Sequence, residues 1–307
     1  MMSTPEITYC SRSEIDAQKW DNCINSADNG LVYALSTYLD HMAVNWDALV
    51  LGDYVAVMPL TWNKKYGIYY LFQPFLCASL GLFGRNIDQD LLERFLTAIP
   101  KRFRYFDIYL NPGNNFSIPG FPFQPRMNHE LSLLASYENL KAGYRNSYKQ
   151  LLKRFYAGGN KAEKNISIEE VTELARQQLN PLFNVPEADY QKFSTLFTHL
   201  QSKGKALTYG VRDKQGALLA SGCFLYHGDR VYYVLAGNHP NGRTLGASHA
   251  MLDTFIQDHA GQRLTLDFEG SDVSRIAFFF KGFGATELPY PGLRLNRLPR
   301  LLRWLKN

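Results

Sequence analysis

The chain has 307 residues, 46% of them hydrophobic and 20% charged, which is material for about two globular domains and excludes a disordered chain. Its formal net charge of +5 equals that of residues 293–307, where Arg294, Arg297, Arg300, Arg303 and Lys306 stand without an acid, so the rest balances and a generally basic protein is excluded. A second basic stretch, from Lys141 to Lys164, is local in the same way. No apolar run reaches the length of a membrane helix, and the N-terminus lacks the apolar core of a signal peptide. Cys10, Cys23, Cys77 and Cys223 are scattered and form no CxxC, the usage of a reduced, cytoplasmic protein rather than of a disulfide or zinc framework.

Short helices are predicted up to His41, then strands at Asp47–Gly52, Tyr54–Trp62 and Ile68–Gln73, with a turn at Gly52-Asp53. A loop rich in Pro, Ser and Gly runs from Pro74 to Arg85. Leu91, Leu92, Phe95, Leu96 and Ile99 then mark an amphipathic helix, followed by a strand over Tyr105–Leu110 that ends at Asn111-Pro112-Gly113. The spacing of Tyr148, Leu151, Leu152 and Phe155 predicts a basic connector helix over 144–157. Beyond it the order repeats: strands at Leu207–Arg212, Leu218–Tyr226 and Arg230–Gly237, a loop from Asn238 to Gly246, a helix carrying Ala247, Met251, Leu252, Phe255 and Ile256, and a strand over Arg263–Glu269. Two matching series imply an internal duplication, with a boundary near residue 140: domains 1–140 and 141–307.

Several chemistries lack local support. There is no GxxxxGK[ST], no GxGxxG after a strand, no GxSxG elbow and no HExxH. His239, His249 and His259 are spaced ten apart, a rotation of about 280° on a helix, so no two share a face and no metal site is expected. The informative segment is 231–285. The strand VYYVLAGN, with Leu235 and Gly237 near its end, leads into Arg243-Thr244-Leu245-Gly246-Ala247-Ser248 at a helix start, where backbone N–H groups and small residues suit phosphate oxygens. The same pattern also serves as a plain strand-to-helix connection. Strand alternation then puts Thr265, Asp267 and Glu269 on one face.

These residues resemble a known family. The RxxGxA/S loop at a helix start and the later IAFFFKGFGATE are similar to the acyl-coenzyme A site of the GNAT superfamily of N-acyltransferases. LDFEGS followed by FFKGFGA resembles the tandem-GNAT FemAB group, which attaches amino acids to peptidoglycan precursors. The resemblance implies an α/β protein of two tandem GNAT-like domains with mixed, splayed sheets. It also implies a donor site between the fourth and fifth strands of the second domain, with the first, degenerate domain walling an acceptor cleft. The donor would be an acyl-coenzyme A thioester or, as in FemAB enzymes proper, aminoacyl-tRNA; the acceptor would be an amine. A catalytically silent protein that keeps the fold for binding is the alternative. The tyrosine that protonates the leaving thiolate in many GNAT enzymes falls here on Phe279 or Phe280, and Ala78-Ser79-Leu80-Gly81 in the first half lacks a basic partner, so one donor site is expected.

Within that frame Asp267 or Glu269 would deprotonate the amine, or pair with an arginine. Lys281 would stabilise an oxyanion or a carrier phosphate, or stand solvated on its helix. Tyr233 or its neighbour Tyr232 would look into the cleft. Tyr69 and Gln73 would line the acceptor pocket. The tail at 293–307, where Leu298, Leu301, Leu302, Trp304 and Leu305 alternate with arginines, has three readings: a solvated helix, a contact with the inner face of the membrane, or a grip on tRNA.

Overall fold

The computed structural model describes residues 5–270 and 272–299. Chain contacts divide it into two units, one formed by the chain up to Met127 together with Pro289 onward, the other by Asn128–Leu288. The first contains β1 (Ile7–Cys10), α1 (Ala17–Ser26), α2 (Ser36–Met42), β2 (Asn45–Leu51), β3 (Ala56–Lys65), β4 (Ile68–Phe72), β5 (Phe83–Gly84), α3 (Gln89–Ala98), β6 (Phe103–Tyr109) and the start of β7 (Phe123–Ser132). The second continues with α4 (Tyr137–Ala142), α5 (Asn146–Ala157), β8 (Ala162–Lys164), α6 (Ile168–Phe183), α7 (Glu187–Ser202), β9 (Ala206–Arg212), β10 (Leu218–His227), β11 (Arg230–Asn238), α8 (Gly242–Leu245), α9 (Ala247–His259), β12 (Thr265–Asp267), α10 (Ser274–Lys281) and the start of β13 (Thr286–Asn296).

In the first unit the strand order is β1-β2-β3-β4-β6-β13, with β5 on β3; all pairs are antiparallel except β4 with β6. In the second it is β7-β12-β11-β10-β9-β8, antiparallel except β11 with β12. The last strand of each series thus joins the sheet of the other: β13 pairs with β6 and β7 with β12. This exchange puts the division inside β7 and β13 rather than near residue 140.

Local chemistry explains the elements that matter. Asp88 caps α3 by accepting the Leu91 N–H, and the helix buries Leu92, Phe95 and Leu96 on its sheet. Ser167 caps α6 through the Glu170 N–H, and Asn184 ends the helix in a left-handed conformation. The sequence reading had no counterpart for α6 and α7, whose polar faces mask their apolar spacing. In the second core Phe224 of β10 stacks on Phe255 of α9 at 3.9 Å and on Tyr233 of β11 at 5.0 Å. Gly222 and Gly237 permit this closeness: a Cβ at Gly222 would lie 2.7 Å from the Tyr233 ring, and one at Gly237 would lie 2.8 Å from Leu174 and 2.9 Å from the Ala175 backbone of α6. Among the described residues no helix is long and apolar enough to cross a membrane.

Candidate functional site

The site is built where β11 and β12 part. They pair over Arg230↔Thr265, Val231↔Leu266 and Tyr232↔Asp267. Beyond that β12 ends while β11 runs on to Asn238, so the main-chain groups on that edge of β11 no longer meet a β12 partner. A bulge compounds the divergence: Tyr233 opposes Phe224 and Leu235 opposes Cys223, leaving Val234 as the extra residue of β11.

Glu269 ends the strand abruptly. Its φ is +63°, in the left-handed region a side chain rarely adopts. Its N–H donates to the Asp267 carboxylate at 2.8 Å, which holds the turn. The predicted shared face of Thr265, Asp267 and Glu269 therefore stops at Asp267, because the pleat does not continue through a left-handed residue. Oε1 of Glu269 is sealed from solvent and has no hydrogen-bond partner among the described residues. Burial pushes its carboxyl well above the usual carboxylate range.

Asp267 sits in a different setting. It accepts from Arg230 at 2.8 Å and from the Asn128 amide at 2.9 Å, and Arg230 also binds Glu130. Burial opposes the Arg230 charge, but Asp267, Tyr232 and Glu130 outweigh it and raise its pKa. Burial raises Glu130. Asp267 is the pivot of a buried ion network, and Glu269 is the carboxylate left over.

Across the gap, α8 closes at Gly246, which has φ +73° and also begins α9; among the described residues no side chain caps the start of α9. Arg243, Thr244 and Leu245 are exposed, Gly246 and Ala247 are buried, and the Ser248 hydroxyl donates to Asn238 at the end of β11. Gly246 is required twice, for its dihedral and because a Cβ there would lie 2.5 Å from Leu151 of α5. The loop is thus covered on one side by α5, which the sequence had suggested only as a connector.

His249 in this first turn is ringed by Tyr148 at 4.3 Å, Phe279 at 4.8 Å and Phe283 at 6.0 Å, and burial lowers its pKa to about 4. His129 of β7 is fully buried opposite Phe268, with Phe280 at 6.0 Å and neither ring nitrogen hydrogen-bonded among the described residues.

Other predicted residues fall elsewhere. Tyr233 and Leu235 are core residues of β11, and Gly237 faces α6. Lys281 pairs with Glu287 at 2.5 Å. In the first unit the Gln73 amide donates to the Cys77 carbonyl and accepts from the Tyr109 N–H, so its polar groups are spent internally. Tyr69 lies under Lys64 at 4.7 Å and Arg102 at 5.5 Å. Arg294 donates to the Tyr105 hydroxyl and Arg297 lies 4.9 Å over Phe106, while Arg300, Leu301, Leu302, Arg303, Trp304, Leu305 and Lys306 lie outside the described residues. No metal-binding group of His, Cys, Asp and Glu exists among the described residues. The Arg230 network and the Leu151 cover rest on strand and helix pairings that no local motif announces.

No family model matches the chain, and no curated protein matches it. Solved structures do. The chain is similar to FemX, with 14% identity over 95% of this chain and 98% of that one and a TM-score of 0.66. It is also similar to a conserved protein of unknown function from Bacteroides thetaiotaomicron, at 11% identity over 95% and 100% and a TM-score of 0.62. A third likeness is the C-terminal domain of a putative lysylphosphatidylglycerol synthetase from Agrobacterium fabrum, at 13% identity over 94% of each chain and a TM-score of 0.56. At these identities the likeness is one of fold.

Proposed function

We propose that the second unit transfers an acyl group from a coenzyme A thioester to an amine. The observation that carries this reading is the parting of β11 and β12 beside the start of α9, with Glu269, two residues past β12, whose buried Oε1 has no hydrogen-bond partner among the described residues. The unpaired edge of β11 offers main-chain partners to an extended amide-bearing chain such as pantetheine. The amides of Ala247, Ser248 and His249, with Arg243 nearby, offer donors to phosphate oxygens. The amine nitrogen attacks the thioester carbonyl, the C–S bond breaks, and the proton leaving nitrogen goes to Glu269 and returns to the thiolate. Burial raises the affinity of this carboxyl for a proton, which suits a group that takes one from the amine. Asp267 holds Glu269 in place through its N–H and is a positioning residue.

A second reading, a silent binding protein, draws support from Phe279 and Phe280 in place of an acid and from Leu151 over Gly246. Calorimetry with coenzyme A and acyl-coenzyme A, combined with thiol release in the presence of an amine panel, separates the readings. Transfer that Glu269→Gln lowers by about 10²–10⁴-fold with donor affinity retained is the expected result. Binding without turnover selects the silent protein. No binding at millimolar thioester removes the proposal and leaves aminoacyl-tRNA as the donor to test.

A further inference from the structure

We propose that one end of the first unit's sheet is a docking surface for an anionic lipid surface, an inference that does not rest on the acyl-transfer reading. The registers Lys65↔Ile68, Tyr69↔Phe103 and Asn296↔Tyr105, with the Arg297 N–H donating to the Arg104 carbonyl, set the ends of β3, β4, β6 and β13 side by side. Four strand ends at this spacing span about 15 Å. Segments 61–70, 99–106 and 293–299, which form that end, contain Lys64, Lys65, Lys101, Arg102, Arg104, Arg294 and Arg297 and no acid. These charges come from three distant stretches, so the basic run at 293–307 reveals only Arg294 and Arg297 of them.

Asp107, the residue after the second segment, lies opposite Arg294 and acts on its charge, and two acids further off are paired. Asp47 holds Arg102 at 3.1 Å and accepts from the Tyr9 hydroxyl, and Asp40 holds Arg12 at 2.7 Å. Lys64, Lys65, Lys101 and Arg104 are exposed and form no ion pair among the described residues. The β3–β4 turn projects from this row. Tyr66, 89% exposed, forms its tip with Gly67, and a Cβ on Gly67 would meet nothing within 4 Å.

The rings decide between polyanions. Single-stranded nucleic acid needs bare aromatic faces on which bases stack. Here Arg102 lies 5.9 Å over Trp62 and 5.5 Å over Tyr69, and Lys64 lies 4.7 Å over Tyr69, so those faces already meet cations. Lys65 likewise lies 5.5 Å over the Tyr66 ring, so the turn presents a projecting tyrosine flanked by lysines beside a cationic row. That is the chemistry of a membrane interface, where a tyrosine ring sits among head groups and lysines meet anionic ones.

The test is co-sedimentation of the full chain with vesicles of phosphatidylcholine alone or mixed with phosphatidylglycerol, at low and high salt. The chain should bind only the mixed vesicles and be released by salt. The triple reversal Lys64→Glu, Lys65→Glu, Lys101→Glu should weaken binding by at least about 100-fold, at about five-fold per cation. Tyr66→Ser should weaken it less. The matched reversal Lys203→Glu, Lys205→Glu, Lys214→Glu in the second unit should leave most binding intact. All these side chains are exposed, so unchanged circular dichroism and Tm control for folding. The proposal is overturned by equal binding to neutral vesicles, by binding that the first reversal does not weaken, or by equal loss in both triple variants. It is also overturned if the same face instead captures a single-stranded oligonucleotide and ignores vesicles.

Discussion

The two units treat the same structural gap in opposite ways. In the first, the parallel pair β4–β6 is extended past its last register: the Gln73 N–H reaches the Asp107 carbonyl, the Gln73 side chain takes the Tyr109 N–H, and the chain returns so that the Leu80 N–H meets the Tyr109 carbonyl and the Asn111 N–H meets the Leu80 carbonyl. Asn29, Asn111 and Asn114 then clamp the main chain of Leu80 and Leu82. In the second unit the pair β11–β12 stops at Tyr232↔Asp267, and no main-chain hydrogen bond among the described residues extends it beyond that register. The helices that follow differ too. An Asp88 carboxylate occupies the start of α3, whereas Gly246 leaves the start of α9 without a side-chain acceptor. One gap is filled with the protein's own hydrogen bonds and the other keeps its groups for something else.

If that contrast is right, polar burial in the second unit is the more fragile. Arg230→Met leaves Asp267 and Glu130 buried without their cation and should cost about 3–5 kcal/mol. Arg102→Met in the first unit removes an exposed arginine from a buried Asp47 that keeps the Tyr9 hydroxyl and the Arg12 N–H as donors, and should cost less, about 1–2 kcal/mol. Denaturation of the two variants side by side measures the ratio, and comparable losses would remove the distinction between a carboxylate pair that depends on one arginine and a carboxylate with other donors.

The next effect is pH-dependent and belongs to the second unit. Burial lowers His249 to about 4 and also lowers His129. Between about pH 6.5 and 4 the unfolded chain binds protons that folded His249 refuses, so stability is complete above that window and is lost as pH falls through it. For His249 the loss approaches about 3 kcal/mol. Amide exchange in α9 and α10 should accelerate toward pH 5, and His249→Phe, which keeps the ring among Tyr148, Phe279 and Phe283, should flatten the slope. Exchange as pH-dependent in the variant as in the parent would show that His249 is not the source.

How much of this the sequence carried follows from where each signal lies. The strand–turn–strand–loop–helix–strand order was legible in both halves because its periodicities are local, and β2, β4 and β9 to β11 agree with their expected spans to within about two residues at either end. The exchange of β7 and β13 was not legible, since pairing partners leave no trace in periodicity. Glu269 was visible as a strand-end carboxylate. Its separation from Asp267 depends on Arg230 and Asn128, brought in by β11 and β7, and on a left-handed dihedral that no non-glycine residue advertises. The Pro74–Arg85 stretch read as a loop, and its role as a plug comes from asparagines at 29, 111 and 114.

Those asparagines give a smaller test. Asn111 is fully buried; its amide donates to the Leu80 and Leu82 carbonyls and its oxygen accepts from Asn29. Asn111→Ala should cost about 1–3 kcal/mol through the lost side-chain hydrogen bonds, although the Leu80 carbonyl keeps the Asn111 N–H and the Leu82 carbonyl keeps Asn29 and Asn114. It should also raise amide exchange at Leu80 and Asn111 before the rest of the first unit responds. Uniform exchange throughout that unit would mean the plug is not a separate element.

The smallest effect asks which feature silences the first unit. Asp88→Ala removes the side-chain cap of α3 and should lower stability by about 0.5–2 kcal/mol, read as a modest fall in Tm. It also removes an anion from a helix start, which by itself favours phosphate there. The filled gap argues that no donor site follows, because the return of Leu80–Leu82 still occupies the space beside β6 that an extended ligand would need. Titration of Asp88→Ala with coenzyme A, in a Glu269→Gln background whose second-unit binding has been measured, should therefore show no added stoichiometry. A second equivalent of ligand would place the difference between the units in one helix cap rather than in the hydrogen bonds that close the gap.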